Sequence, residues 1–272
     1  MEILSGLFLA KVAVSISVVI GLSLVAEHLG PRAAGFLTGM PLGAGIIVVF
    51  TGIEQGTVFT AEAAGFMVPG FVTTLAYVYL YAAVAAWRNK GGVGALLLPT
   101  LVANLGYGAV AYLANLTQPP LLLALPVMLV AMFAASKAMK TLPNTPITER
   151  VRFGMGVAVF RAVVATLAIL VVTGVARAVG PQWTGILTAY PLTLFPLIVV
   201  IHVAYRGEQI AAVLKHVPLG LGSVLSFCVT IHYTLPTLGL ALGVAAGYAA
   251  AFCYLAALSY FTRKPRTTRV GA

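Results

Sequence analysis

Two stretches of the chain, Gly91–Leu116 and Leu235–Phe261, contain no charged residue. Each is longer than the roughly 20 residues that a helix needs to span a bilayer. Only 8% of all residues are charged, against roughly a quarter in soluble domains. A water-soluble fold could not bury so many uninterrupted apolar segments. We therefore predict an all-α protein that crosses the membrane several times.

Glycines, prolines and charge clusters divide the chain into predicted transmembrane helices. The N-terminal segment lacks the basic start and small-residue cleavage site of a removable signal peptide, so we expect it to be retained as the first span. The nine predicted helices lie near residues 3–26, 33–53, 60–86, 91–115, 119–139, 151–177, 183–205, 209–232 and 236–261.

The basic residues between these helices predict the orientation of the chain. An excess of Lys and Arg marks cytoplasmic loops, and Arg177 is the one basic loop residue that falls on the opposite side. We therefore expect an inner-membrane protein with its N-terminus outside and its C-terminus in the cytoplasm. The net charge of +10 then reflects topology rather than nucleic-acid binding. The residues assigned to the cytoplasmic side are Arg32, Arg88, Lys90, Lys137, Lys140, Arg150, Arg152, Arg206, Arg263, Lys264, Arg266 and Arg269.

An internal repeat relates the two halves of the chain. Residues 25–42 and 175–192 align without gaps at an offset of 150, and they include the shared pairs Gly30/Gly180, Pro31/Pro181, Gly35/Gly185, Thr38/Thr188 and Pro41/Pro191. The match extends weakly through Val68-Pro69 and Val217-Pro218, and through Leu98-Pro99-Thr100 and Leu235-Pro236-Thr237.

The repeat predicts the domain organisation. Residues 1–118 form a first four-helix repeat, 119–148 a connector helix with a cytoplasmic loop, and 149–272 a second four-helix repeat with a basic tail. Because helix 1 runs inward and helix 6 outward, we expect two inverted repeats. Inverted repeats around a site near the bilayer midplane recur in secondary transporters.

A basic residue occupies the same place in the first helix of each repeat. Lys11 aligns with Arg161 at the offset of 150, and both fall near the middle of predicted spans. A cation at that depth costs about 2.5–3.5 kcal/mol on insertion scales. The functional interpretation is a pair of groups that bind an anion. The structural alternative is an internal ion pair or snorkelling, which is most plausible for Lys11.

The second helix of each repeat carries the pattern Gly-x-Leu-Thr-x-x-Pro. It reads Gly35 to Pro41 with Thr38, and Gly185 to Pro191 with Thr188 and Tyr190. Each proline removes one helical hydrogen bond and frees the carbonyl four residues earlier, at Leu37 or Leu187. Such interruptions at matching positions are typical of transporter binding sites; a plain kink packed by glycines is the alternative.

Four further polar residues are candidates for the site or for coupling. Asn104 lies well inside helix 4, where hydrogen bonding between helices is its expected role. His202, near the cytoplasmic end of helix 7, could couple proton movement. Glu54 and Glu62 flank the outer loop between helices 2 and 3, where we expect them to be solvated, with proton coupling as the alternative.

The second repeat resembles a known family. The stretch Thr184–Pro191, followed by Pro196–His202 and then Arg206-Gly207-Glu208, is similar to the core of small GlpM-like bacterial inner-membrane proteins. Those chains are about half as long as this one, which implies a fused duplication. The first half departs from the pattern, with Gly52 near the His position and no Arg before Gly56. The resemblance implies an inner-membrane protein without an assigned substrate.

These features together favour a secondary transporter of a small organic or inorganic anion that works by alternating access. The alternatives are a flippase for lipids or polyprenyl lipids, and a non-transporting accessory subunit of envelope biosynthesis. The chain has no Asp and only six Glu, and it lacks the HExxH, GxSxG and GxxxxGK[ST] motifs, which argues against an enzyme or an ATP-driven pump. We expect no metal or cofactor, and membrane lipids and the anion as partners.

The orientation can be tested by labelling single-cysteine variants in intact cells, after Cys228 and Cys253 are replaced. A membrane-impermeant reagent should reach loops 55–58 and 178–182 from outside. Loops 28–32, 88–90 and 140–150 should be labelled only after permeabilisation. Outside labelling of 88–90 would overturn both the orientation and the inverted repeat.

Overall fold

The computed structural model describes residues 6–21, 40–143, 145, 155–192 and 194–261. Within these residues the regular structure is entirely helical, apart from turns. The helices are α1 (Gly6–Gly21), α2 (Leu42–Gln55), α3 (Thr57–Arg88), a short 3-10 helix (Val93–Ala95), α4 (Leu97–Thr117), α5 (Leu121–Lys140), α6 (Met155–Thr188), α7 (Leu194–Ala204), α8 (Gly207–Leu214) and α9 (Val217–Phe261).

Five helical segments are long and apolar enough to cross a membrane. They are α3, Val93–Thr117, α5, Gly156–Thr188 and α9, while α1, α2 and α7 are shorter apolar helices. Large apolar side chains on α4 and α5, such as Leu97 and Leu122, are exposed. A protein in water would bury such side chains, whereas a bilayer accepts them. The structure therefore supports a multi-pass membrane protein.

Helix α9 consists of two antiparallel helices that meet at Gly239. This residue has φ 74° and ψ 178°, a conformation essentially restricted to glycine. The Tyr254 hydroxyl donates a hydrogen bond to the Leu219 carbonyl at 2.9 Å, and Leu235 lies against Gly243. The two residues of each contact thus lie at similar distances along the chain before and after Gly239, as they do in a helical hairpin.

Helix α6 folds back in the same way at Gly180, which has φ 77° and ψ 174°. The Thr184 hydroxyl reaches the Ala176 carbonyl at 3.4 Å. Further from the turn, Ile169 and Val172 share an apolar cluster with Leu187 and Leu192. Gly180 is the glycine of the repeated Gly-Pro pair, whose first copy, Gly30-Pro31, lies outside the described residues.

With α6 and α9 divided at these glycines, each of the nine predicted helices has a counterpart among the described residues. Predicted helix 7 is interrupted between Thr188 and Leu194, as the Pro191 pattern predicted. Two predictions need correction. Predicted helix 8 has a turn at Lys215-His216. The Pro99 and Pro236 segments are not equivalent: Pro99 lies near the start of α4, whereas Pro236 precedes the turn at Gly239.

The long helix α3 lies at the centre of the packing. It runs antiparallel to the first part of α9, because Met67 contacts Cys228 while Ala61, earlier in α3, accepts a hydrogen bond from His232. Continuing along α3, Ala85 packs directly against Gly207 at the start of α8. Helix α3 also borders the part of α6 that follows Gly180. Through these contacts it joins residues of both predicted repeats.

The conformation of Gly180 gives a test of the hairpin. The substitution Gly180→Ala should lower the free energy of unfolding by about 1–3 kcal/mol, because a Cβ is strained at that φ and ψ. The control is Gly174→Ala in the same helix, where a Cβ also meets nothing within 4 Å but the backbone is helical. It should be neutral or stabilise by about 0.5–1 kcal/mol. Equal effects of both variants, measured by denaturant titration in detergent, would contradict the hairpin.

Candidate functional site

The repeated Pro segments adopt the same local backbone structure. In the first, Leu42 N–H donates to the Met40 carbonyl at 2.8 Å and Gly45 N–H to the Pro41 carbonyl at 2.7 Å. In the second, residues at the offset of 150 make the same two bonds: Leu192 to Tyr190 and Phe195 to Pro191, each at 2.7 Å. Both prolines are buried. The sequence repeat is therefore also a repeat of local structure.

The carbonyls around the second interruption are occupied by protein groups. The Leu187 carbonyl, expected to be free, accepts the Tyr190 N–H at 3.1 Å, because the chain tightens into a turn there. The Tyr107 hydroxyl donates to the Ile186 carbonyl at 2.6 Å, and the Thr74 hydroxyl to the Ala189 carbonyl. These hydroxyls come from α4 and α3. The Ile186 carbonyl also accepts the Ala189 N–H at 3.1 Å, so the tightened turn and these hydroxyls together satisfy the carbonyls at the break.

Buried tyrosines surround this interruption. Tyr190 donates a hydrogen bond to the Asn104 side-chain oxygen at 2.8 Å. Its ring makes edge contacts with Tyr107 and Tyr77, at centroid distances of 4.9 and 5.6 Å. Asn104 in turn donates to the Thr100 carbonyl. The structure thus brings the candidates Tyr190, Asn104 and Pro191 together.

The structure does not place the two candidate threonines in this cluster of polar side chains. The Thr188 hydroxyl donates to the Thr184 carbonyl of its own helix at 2.6 Å, so its proton is committed there. Thr38 lies outside the described residues. Of the first repeated segment, the structure describes Pro41 and the start of α2.

Lys11 is neutralised by a carboxylate. Its ammonium lies 2.7 and 2.8 Å from the two oxygens of Glu54 and 2.8 Å from the Thr173 hydroxyl, which itself donates to the Ile169 carbonyl. Lys11 is 6% exposed and the Glu54 side chain 20%. The expectation of a solvated Glu54 was therefore wrong. Of the two interpretations of Lys11, the internal ion pair is the one that the structure bears out.

Arg161 lies elsewhere. It is half-buried in α6, twelve residues before Thr173, or about 18 Å along the helix axis. The structure therefore does not bring Arg161 and Lys11 together. In the described part of the chain no carboxylate pairs with Arg161: Glu54 contacts Lys11, Glu208 contacts Asn89 and Thr145, and Glu62 borders a distant cleft.

The apolar cluster between α2 and α6 relates the position of Arg161 to that of Pro41 in the first repeated segment. Ile46 and Ile169 belong to this cluster, and Glu54 and Thr173, further along each helix, meet through Lys11. Helices α2 and α6 therefore run in the same direction at this contact. Arg161, which precedes Ile169, and Pro41, which precedes Ile46, lie toward the same end.

His202 is enclosed by protein. It is 1% exposed, its Nε2 lies 3.0 Å from the Lys90 carbonyl, and its Nδ1 lies 2.8 Å from the Tyr81 hydroxyl. Because a carbonyl can only accept, Nε2 carries a proton and donates. Nδ1 then accepts from Tyr81 in the neutral imidazole. Nε2 thus holds the 89–92 turn against α7, and Nδ1 joins α7 to α3, which are structural roles.

A cleft of about 590 Å³ opens at the end of the bundle that carries the turns at Gln118 and Gly180. Glu62 lines this cleft, so this candidate residue borders a space that is large enough to hold solvent. The other lining residues are Gly65, Phe66, Gln118, Pro119, Pro120, Leu121, Gly180, Pro181, Gln182 and His232.

Sequence reasoning missed several polar residues that shape these regions. Tyr77 and Tyr81 are one helical turn apart on α3, and both are fully buried. That spacing was a usable signal of polar groups inside the bundle: the Tyr81 hydroxyl meets His202, whereas the buried Tyr77 hydroxyl has no hydrogen-bond partner among the described residues. The roles of Thr173 and His232 depend on contacts with distant helices, and no local pattern indicates them.

Comparison of this chain with protein-family models, with curated proteins and with solved structures finds no match. The resemblance of the second half to GlpM-like proteins therefore remains a prediction. Any assignment of function has to come from the site itself.

The Lys11–Glu54 pair can be tested by a double-mutant cycle. Each of Lys11→Met and Glu54→Met should lower the free energy of unfolding by about 3–5 kcal/mol, because each leaves one buried charge unpaired. The double variant should recover most of that loss, since no charge then remains. Thermal or denaturant unfolding in detergent measures the three differences. Simply additive losses would argue against the pair.

Proposed function

We propose that this chain is a secondary transporter of a small anion that works by alternating access. The observation that carries the proposal is the repeated Pro segment, whose two copies make the same two backbone hydrogen bonds at an offset of 150. Interrupted helices at matching positions of two repeats mark the substrate site in several carrier folds.

Packing between the halves supports an inverted relation of the repeats. Helix α3 and the first part of α9 hold corresponding places in the two predicted repeats, and they run antiparallel, because Met67 contacts Cys228 while Ala61 contacts His232. Helices related by an axis in the membrane plane run antiparallel, whereas an axis along the membrane normal would make them parallel.

The distribution of charge favours an anionic substrate. Glu54 neutralises Lys11, whereas Arg161 has no carboxylate partner among the described residues and lies toward the same end as Pro41. An unpaired cation within a span is costly unless polar groups, water or an anion meet it. A guanidinium can bind a carboxylate, sulfonate or phosphate with two parallel hydrogen bonds. In this proposal Arg161 alone provides the charge, and Lys11 supports the structure.

Uptake into proteoliposomes tests the proposal. A survey of small labelled carboxylates, sulfonates and phosphates should find at least one that accumulates in vesicles containing the protein but not in empty vesicles. Scrambling of a fluorescent phospholipid without uptake of any anion would favour the flippase. Absence of both activities would contradict transport.

Variants of Arg161 then test the site. For the transported anion, Arg161→Lys should reduce uptake about 10–100-fold, because a point charge loses a charge-assisted hydrogen bond. Arg161→Ala should abolish uptake while the protein remains in the membrane at normal yield. The matched control is Arg177→Ala, which removes an exposed cation from the same helix and should transport normally. Normal transport by Arg161→Ala would contradict the anion site.

A further inference from the structure

The cleft beside Gly180 has a polar lining that the proposed anion site does not explain. Its polar lining consists of Glu62, His232 and the side chains of Gln118 and Gln182. Among the described residues that line it, none is Lys or Arg. Glu62 is exposed, and its carboxylate is the one acidic group among these lining residues.

The hydrogen bond of His232 fixes the tautomer of its ring. Its Nδ1 lies 2.8 Å from the Ala61 carbonyl. Since that oxygen can only accept, Nδ1 carries the proton, and Nε2 of the neutral ring is left as an acceptor. Nδ1 also lies close to Gly65, because a Cβ added to Gly65 would be 2.9 Å from this nitrogen. The ring is thus held in place between α3 and α9.

The two glutamines leave a further acceptor. The Gln118 amide nitrogen donates to the Gln182 side-chain oxygen at 3.1 Å. This leaves the Gln118 oxygen free to accept, and exchanging the oxygen and nitrogen assignments would leave the Gln182 oxygen instead. In either case the pair has one uncommitted amide oxygen and three uncommitted amide N–H hydrogens.

The remaining walls are apolar. Phe66, Leu121 and the prolines at 119, 120 and 181 surround the polar groups. A volume of about 590 Å³ lies within the usual range of small-molecule pockets. A metal ion is a poor match, because the described residues contain no group of three or more His, Cys, Asp or Glu side chains.

We propose that this cleft binds a ligand with a primary ammonium group on a small apolar body. The ammonium has three N–H donors, and the cleft offers three kinds of acceptor: the Glu62 carboxylate, His232 Nε2 and one glutamine oxygen. The apolar walls accommodate the body of the ligand. The source is either a soluble amine or the headgroup of an ethanolamine phospholipid, since both present the same group. This site is independent of the anion site at Arg161.

Binding can be measured by ¹⁹F NMR with 4-fluorobenzylamine and the full chain in phosphatidylcholine nanodiscs, whose headgroups lack N–H donors. The amine should bind, whereas 4-fluorobenzyl alcohol and 4-fluorobenzoate should bind at least about tenfold more weakly, because they lack a charge-assisted donor. Equal binding of the amine and the alcohol would overturn the proposal.

Variants identify the site. Glu62→Gln should weaken amine binding about tenfold or more. Glu208→Gln, which removes a carboxylate outside this cleft, should bind like the unaltered protein. In His232→Asn the amide can still donate to the Ala61 carbonyl but lacks an acceptor at the Nε2 position, so weaker binding is expected. If size-exclusion chromatography shows that Glu62→Gln is not folded, the binding measured for His232→Asn provides the test. Full affinity in the folded variants would overturn the site.

A final arm distinguishes the two sources. Replacing part of the phosphatidylcholine with phosphatidylethanolamine should lower the apparent affinity for 4-fluorobenzylamine if the lipid headgroup enters the cleft. An unchanged affinity assigns the site to soluble amines. Either result supports ammonium binding and names its source.

Discussion

In the apolar spans of this chain, backbone groups released by a helix break need partners from the protein, because lipid provides none. This requirement explains the environment of the second interruption. Hydroxyls of Tyr107 and Thr74 bond the Ile186 and Ala189 carbonyls. The break is therefore fixed to α4 and α3. A polar tyrosine cluster in an otherwise apolar bundle is the consequence of that broken helix.

The same constraint governs the charges. Lys11 is buried, and Glu54 and Thr173 satisfy its ammonium from two other helices. It joins α1, α2 and α6, and its charge is neutralised before any ligand arrives. Arg161 has no such carboxylate among the described residues. The two repeat-related cations are therefore chemically different, although the sequence aligns them, and this difference is what directs the anion proposal to Arg161.

Features that depend on local chemistry could be predicted from the sequence. Apolar length and Gly or Pro punctuation identified the nine helices, and the Pro pattern identified the interruption at Pro191, because a proline removes a helical hydrogen bond wherever the helix packs. Pairing between distant helices could not be predicted. The partners of Lys11 and His202 are set by tertiary packing, and so is the His232 bond to Ala61. Pro99 and Pro236 are not equivalent because the chain turns at Gly239. The short match of Leu-Pro-Thr in the two halves did not indicate that turn.

The proposed anion site and the proposed ammonium cleft lie at different depths, so communication between them would require a physical link. The helix between Gly180 and Thr188 has the geometry of such a link. Its first residues, Pro181 and Gln182, line the cleft, and its end is the interruption held by Thr74 and Tyr107. Gly185 brings it into contact with the α3 backbone, since a Cβ there would lie 2.3 Å from the Ala63 carbonyl. A segment held so closely cannot shift alone. Any movement started at the cleft would have to carry α3 with it, and α3 contacts both predicted repeats.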